Sequence, residues 1–288
     1  MLMRRIGWRL AAMAAVILAG GLLSATLVRM APGFDSDERQ LDSRLSDQTI
    51  AALRQEHSQD RNVALFYVHY LGRALRGDLG QSRTLNRPVR QLLAERLPVT
   101  LRTAGAGLLI GWLFAVVLAV TATMLRNPAC DFLTTVLAGV FLSVPAAVVA
   151  LLFVFSNAPV YLAIALAVFP KVFSYTRNLL AKGYAMPHLL TAYAKGVGPV
   201  RMLAYHVLPV TGAQLLAVAG ISVSIALGAA IPVEALCGIP GIGQLAWQAA
   251  LGRDLPLLVN LTMVVTVITL AANWGSDMAG KNFRTREA

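Results

Sequence analysis

The feature that most limits this chain is where its charges are missing. Nineteen uncharged residues separate Arg9 from Arg29, and 23 separate Arg102 from Arg126. Further uncharged windows of 39, 32 and 22 residues run from Asp131 to Lys171, Arg201 to Glu234 and Asp254 to Asp277. Together they fill nearly half of the 288 residues. A helix needs about 20 mostly apolar residues to cross the hydrocarbon of a bilayer. The windows therefore predict an all-α polytopic membrane protein in the lipid bilayer. Composition agrees, with 57% hydrophobic and 14% charged residues, where a soluble domain carries roughly 25% charged.

Three windows each read as one helix. The 39-residue window is too long for one, and the turn-forming Ser156-Asn157-Ala158-Pro159 divides it into helices near 132–154 and 158–178. The fourth span meets Lys171 and Arg177 before it ends. They either reach the interface along their aliphatic stems, or Lys171 faces a wet interior. A fifth span is expected over 209–232. The total is six spans, with both termini on one side. The domain reading is a first span at 1–29, an external segment at 30–98 and a five-helix core at 99–288. A cleaved signal peptide is the competing reading of the first 30 residues, through Arg4-Arg5 and Ser24-Ala25. The apolar run is long for that, and no clean A-x-A site follows it.

Orientation follows from the basic segments. Arg4, Arg5 and Arg9 precede the first span, and Lys281, Arg284 and Arg286 follow the last. The 171–206 stretch holds Lys171, Arg177, Lys182, Lys195 and Arg201 with no acid. Six spans put all three on one side, which should be cytoplasmic. This also accounts for the net charge of +11 without a nucleic-acid partner. Residues 30–97 lie opposite and mix nine acids with ten arginines. Within them, Ile50, Leu53 and His57, then Phe66, Tyr67, Tyr70, Leu71 and Leu75, recur at helical spacing. Gly77-Asp78-Leu79-Gly80 breaks that pattern, and Pro88 suits the first turn of a second short helix near 88–97. Cys130 and Cys237 are expected on opposite faces, unpaired.

The chain has no G-x-x-x-x-G-K-[ST], H-E-x-x-H, C-x-x-C or G-x-S-x-G pattern. No metal site is expected from its four scattered histidines. The uncharged windows hold no ionisable group of the kind coupled carriers keep in the membrane. A pore-forming subunit driven by another protein fits best. A stand-alone channel, a secondary carrier and a membrane-embedded enzyme are the other classes. Hydroxyls suited to a mildly polar lining are Ser143, Ser222, Ser224, Thr262, Thr266 and Thr269. They equally suit helix–helix contacts.

Between the fourth and fifth spans runs Tyr184-Ala185-Met186-Pro187-His188-Leu189-Leu190-Thr191-Ala192-Tyr193-Ala194-Lys195-Gly196. It reads as a short helix of small residues ending at a glycine. The chain then turns and is expected to enter the next span at Leu208-Pro209. This segment either docks on a soluble partner or is an ordinary basic loop.

That segment resembles the E-A-A-x3-G-x9-I-x-L-P pattern of inner-membrane permeases of binding-protein-dependent ABC importers. Ala192, Gly196, Leu208 and Pro209 match it, while Leu190, Thr191 and His206 depart from it. Other blocks resemble the B-subunit type of the dipeptide, oligopeptide and nickel branch. They are Met30-Ala31-Pro32-Gly33, Tyr67-Val68-His69-Tyr70-Leu71 with Gly77-Asp78-Leu79-Gly80 and Ser82, and Arg96-Leu97-Pro98-Val99-Thr100-Leu101. Val233-Glu234, Ile239-Pro240-Gly241-Ile242-Gly243 and Arg253-Asp254-Leu255-Pro256 complete the set in the family's order. The loop at 156–159 is shorter than the insertion common in that branch.

The resemblance implies a heterodimeric pore with a second, C-type permease, two ATP-binding subunits and a periplasmic solute-binding protein. The chain itself would hold no cofactor, since ATP and Mg belong to the partner ATPases, and would not be an enzyme. Residues 188–202 would couple to an ATPase through Leu190, Thr191, Ala192, Lys195 and Gly196, with Leu208 and Pro209 beyond. Glu234, Pro240, Gly241, Gly243 and Asp254 would lie on the external, gate side. Glu234 would meet a substrate ammonium, an arginine of the docked protein, or Arg253. The solute would be a di- or oligopeptide, with nickel or another small solute as the alternative.

Overall fold

The computed structural model describes residues 2–30, 63–74, 76–125, 127–156 and 158–285, and they are helical in the main. Residues 31–62, which include Ile50, Leu53, His57 and the Ala31-Pro32-Gly33 block, lie outside the described residues. The helices are α1 (Leu2–Met30), α2 (Val63–Ala74), α3 (Val89–Leu125), α4 (Pro128–Ser143) and α5 (Ala146–Ser156). There follow α6 (Tyr161–Tyr184), α7 (His188–Ala194), α8 (Pro199–Met202), α9 (Leu208–Leu236), α10 (Ile242–Leu251) and α11 (Leu255–Thr285). Val89–Leu125, Pro199–Leu236 and Leu255–Lys281 are each long and apolar enough to cross a bilayer. The bent pair α4–α5 passes only when taken together. Three to four spans thus meet the test among the described residues. The apolar run of α1 is the shorter Ala11–Leu27, and α6 carries Lys171, Arg177 and Lys182.

Three boundaries differ from the sequence reading. The short helix expected near 88–97 is the first part of α3, which continues through Pro98. The single helix expected over 132–154 is broken, with α4 and α5 meeting at 92°. Val144 between them is extended, at φ −86° and ψ 121°, because a residue before proline is pushed out of the helical region and Pro145 follows. The fourth helix runs to Tyr184, past the expected 178. At the other end of α4, Asn127 caps the helix by accepting from the Ala129 amide at 2.9 Å, and Pro128 takes the first turn.

The chain divides into two compact units. One comprises residues 1–97 and 245–267. Its core gathers Ala25, Tyr67, Tyr70, Leu255 and Val259. The Tyr67 and Tyr70 rings stack at 6.3 Å. Tyr67 donates to the Leu18 carbonyl at 2.7 Å, and a Cβ at Gly21 would sit 2.6 Å from the Tyr67 hydroxyl. Tyr70 donates to Asn260 Oδ1 at 2.7 Å, and Asn260 Nδ2 donates to the Leu79 carbonyl at 3.0 Å. Burial pushes the Tyr70 phenol up to about 12, which keeps it a donor.

The second unit comprises 98–244 and 268–288. Its core is the pairing of α6 with α9, through Ile164, Val168, Phe169, Phe173, Ala226, Ala230 and Val233. Phe169 also meets Phe114 of α3 at 4.8 Å and Phe141 of α4 at 6.2 Å. Helix α3 reaches α6 through Gly107 and Gly111, one turn apart. A Cβ at Gly107 would lie 2.7 Å from the Tyr161 carbonyl, and one at Gly111 2.9 Å from the Ala165 carbonyl. Small residues at this spacing let two helix backbones touch where lipid supplies no hydrophobic drive. Arg177 of α6 grips Asp131 of α4 with two nitrogens, Nε to Oδ1 at 2.7 Å and Nη2 to Oδ2. Its charge is therefore neutralised by an acid, not merely carried to the interface.

The glycine contact has a direct test. Gly107→Val forces the α3–α6 backbones apart and should cost about 1–3 kcal/mol, read as a lower unfolding midpoint in detergent. Gly105→Ala, where a Cβ meets nothing within 4 Å, should be neutral or raise stability by up to ~1 kcal/mol. Equal midpoints for the two variants would contradict the packing.

Candidate functional site

The segment between α6 and α9 is built as a bracket. Met186-Pro187 turns the chain out of α6 and into α7. Leu189 and Ala192 on one side of α7 are buried in the same cluster as Leu180, Met202 and Val207. The opposite residues face outward, with Leu190 73% exposed and Tyr193, Val200 and Tyr205 also exposed. Thr191 and Lys195 are exposed too. Large exposed apolar side chains on a short rigid element are a mark of a contact surface.

Gly196 ends α7 for a local reason. The Val197 amide donates to Ala192 O at 3.2 Å and the Gly196 amide to Tyr193 O at 2.9 Å. This is the six-to-one and five-to-two pairing of a Schellman cap, which requires a left-handed residue. Gly196 supplies it at φ +72°. Val197 then packs beside Ala192 against the core. The chain turns at Gly196–Gly198, and the next helix starts at Pro199, nine residues before the expected span entry at Leu208-Pro209. Helix α8 opens with Pro199 and runs through one π turn, Leu203–Val207, straight into α9. A proline ring clashes with the carbonyl four residues back, here that of Tyr205. The wider turn lies where that clash would fall. Leu208 and Pro209 thus sit inside a continuous helix.

At the far end of α9, Glu234 is fully buried. Its Oε2 accepts from the Gly243 amide at 2.7 Å and from Thr100 Oγ1 at 3.0 Å, and its Oε1 from Thr103 Oγ1 at 3.2 Å. Thr100 Oγ1 in turn accepts the Ile242 amide at 2.7 Å. The carboxyl group therefore caps the N-terminus of α10, where unpaired amides and the helix dipole favour an anion. Gly241 and Gly243 are part of the cradle. A Cβ on Gly241 would fall 2.2 Å from Glu234 Oε2, and one on Gly243 2.6 Å from Ile231 Cα. The structure brings Glu234, Gly241 and Gly243 together, with Pro240 exposed beside them. Within the chain the partners of Glu234 form an internal clamp. Thr100 stands within the Arg96–Leu101 block, and Thr103 lies just beyond it, outside every block read from the sequence.

Asp254 forms a second clamp, within the unit of 1–97 and 245–267. It too is fully buried. Oδ2 accepts from Ser82 Oγ at 2.6 Å and the Thr84 amide at 3.0 Å, while Oδ1 accepts the Leu257 amide at 3.1 Å. The last bond makes Asp254 the N-cap of α11. Gly252 completes the fit, since a Cβ there would strike Thr84 at 2.5 Å. Two blocks matched separately in the sequence, Gly77–Ser82 and Arg253–Pro256, thus meet in space.

The proposed lining hydroxyls divide. Ser222 is buried and accepts from Trp112 Nε1 at 2.8 Å, so it joins α3 to α9. Thr262 donates to Leu258 O and reaches Ser24 Oγ at 3.2 Å. Thr266 donates to Thr262 O at 2.7 Å, and Ser143, exposed, to Gly139 O at 2.9 Å. Ser224 and Thr269 are half-buried. Both cysteines are free thiols.

Comparison with known proteins follows this geometry. Residues 107–286 match the family described as binding-protein-dependent transport system inner membrane component. The chain is 25% identical over 297 residues to a protein of Sinorhizobium fredii named "Probable peptide ABC transporter permease protein y4tP", covering 94% of this chain and 95% of that one. It is 25% identical over 289 residues to the Bacillus subtilis "Dipeptide transport system permease protein DppB", covering 93% and 92%. A match across this share of the chain, over the α3–α11 helices and the α7 bracket, places it: the chain belongs to the binding-protein-dependent transport system inner membrane component family and is a multi-pass membrane protein.

Proposed function

We propose that this chain is a permease subunit of an ATP-driven ABC importer of di- or oligopeptides, forming half of the translocation path. The observation that carries the reading is the α7 bracket. Its inner face is locked into the α6–α9 core, and its outer face presents Leu190, Tyr193 and Val200 to a partner. In this reading an ATPase groove receives residues 188–202, and a second permease and a solute-binding protein complete the assembly. ATP and Mg bind to the ATPases. The six crossings are α1, α3, the broken α4–α5, α6, α9 and α11, with both termini and the bracket in the cytoplasm. The peptide assignment draws on the printed names of the relatives.

The motion follows from the attachments. ATP-driven closure of the partners displaces α7, and the displacement passes into the core because Leu189 and Ala192 are buried in the cluster that also holds Leu180 of α6 and Val207 just before α9. Only contacts that differ between two states transmit work. Helix α9 carries the displacement to the Glu234 clamp, which sets the external turn at 240–243. Two packed arrangements of the rigid elements give alternating access.

The reading is tested by uptake. Proteoliposomes holding the full complex should accumulate labelled dipeptide only with internal ATP and loaded binding protein. Flux through this chain alone, or accumulation of nickel with no response to peptide, would overturn it. At the bracket, Gly196→Val forces a β-branched residue into the left-handed region at a cost of about 1–2 kcal/mol. Uptake should fall at least several-fold while membrane insertion persists. Gly196→Asn tolerates that region and should keep most of the uptake. Equal activity of both variants would remove the role of the cap. Glu234→Ala orphans the Gly243 amide and the Thr100 hydroxyl at a cost of about 1–3 kcal/mol. It should lower uptake while ATPase subunits still copurify with the complex. Loss of copurification instead would move the role of Glu234 to assembly.

A further inference from the structure

The break between α4 and α5 opens a recess that the bracket and the two clamps do not use. A cavity of about 340 Å3 is lined by Phe141 of α4, Ala167 and Lys171 of α6, and Ile225, Gly228 and Ala229 of α9. Val144 and Ala146, on either side of the break, also line it. Its walls are small where they need to be, and a Cβ added at Gly228 would meet no atom within 4 Å. Lys171 is exposed within the chain. The next charged residue along α6, Arg177, is neutralised by Asp131. Lys171 has no such acid among the described residues. Along α6 it stands six residues from Arg177, about 9 Å at 1.5 Å per residue, on the side away from the α7 bracket.

In the six-crossing reading Lys171 lies within the α6 crossing, and an ionisable group held in a membrane is costly and marks a ligand path or a partner. The cavity holds one ammonium, no acid and otherwise apolar or small side chains. That chemistry suits one negative charge on a ligand with a modest apolar body. Ala146 opens α5, so the positive end of that half-helix lies at the same recess and favours the same sign. From the unpaired Lys171 amine lining this cavity, we infer a carboxylate-binding station in the translocation path, which takes the C-terminal carboxylate of the moving peptide. The inference rests on the importer reading for its ligand and goes beyond it in naming the residue and the group. The station holds the charge in transit, and a single charge-assisted hydrogen bond is strong enough to orient the peptide without trapping it.

The test uses the complete complex in nanodiscs, with trialanine and its C-terminal amide as probes. Both carry the same free amine, so consumption of an acylating reagent cancels. Acetylation of Lys171, followed by mass spectrometry, should be slowed about fivefold by trialanine and little by the amide, as expected for one charge-assisted contact. In uptake assays Lys171→Met should lower the acid-to-amide ratio by a similar factor, and Lys171→Arg should restore it. Comparing each peptide with itself across variants removes any preference of the binding protein. Equal protection by the two probes, or an unchanged ratio in Lys171→Met, overturns the station. So does protection without peptide when phosphatidylglycerol replaces phosphatidylcholine, which makes a lipid phosphate the ligand. So does an amine that is unreactive in every condition, which points to an acid of the second permease. A complex that imports neither probe but shows acid-selective protection supports the station and removes the importer reading. Import of both probes without selectivity at Lys171 does the reverse.

Discussion

Lipid hydrocarbon offers no hydrogen bonds, so each polar group the chain brings into it must find its partner within the protein. Hydroxyls are the simplest case. Thr26, Thr121, Thr123, Thr211, Thr262 and Thr266 each donate to the carbonyl four residues back. They remain helical and present a nearly apolar surface. The acids are handled by backbone amides. Glu234 and Asp254 are both fully buried, and each takes amides from a helix start together with hydroxyls from a distant segment. A carboxyl group in such a site does not serve solvent or ligand. It fixes where one helix begins relative to another segment of its unit, which is why glycines crowd each clamp.

Helix packing obeys the same constraint from the other side. Because lipid is as apolar as leucine, helices gain by close contact and not by burial from water. The α3–α6 contact at Gly107 and Gly111 and the approach of α9 to α11 at Gly220 are both places where a Cβ would meet the neighbour at under 3.0 Å. The aromatic group of Phe114, Phe141, Phe169 and Phe173 fills the wider gaps. Large residues such as Leu109, Leu113 and Phe155 are left exposed on the described surface, as suits side chains that meet lipid tails or another subunit.

The sequence made the apolar windows and the end of α7 legible, because both are local. Charge gaps need no tertiary information, and Gly196 announces a left-handed cap within six residues. What it hid was long-range or conditional. Thr100 and Glu234 are 134 residues apart, and Ser82 and Asp254 are 172 apart. No periodicity links such pairs. Pro98 and Pro145 illustrate the conditional case. Pro98 stands between Arg96 and Arg102 and Pro145 in the 39-residue uncharged window, yet α3 runs through the first while the chain breaks at the second. At Pro145 the preceding Val144 takes the extended conformation, and α5 leaves at 92°. A window of uncharged residues does not contain that choice. Nor does it show whether Lys171 snorkels or faces a cavity, since that depends on Gly228 and Ala229 lying across from it.

In the importer reading, the two ends of α9 join the bracket and the Glu234 clamp in one mechanism. From Pro199 to Leu236 the chain is a single helical rod of 38 residues, about 57 Å long at 1.5 Å per residue. A rod of that length moves as a body if its turns are intact. The π turn at Leu203–Val207 is where it departs from ideal winding, and Met202 and Val207 there are both fully buried. The irregular turn is therefore clamped by the core that also holds Leu189. Beyond it α9 stays helical through Pro232 to Glu234. There the carboxyl group is bonded to the Gly243 amide and to two hydroxyls of α3. Movement of α9 along its axis has either to carry the 240–243 turn with it or to break those bonds. Keeping them is cheaper than leaving a buried carboxyl group unpaired. In the importer reading proposed above, the 240–243 turn thus follows the bracket.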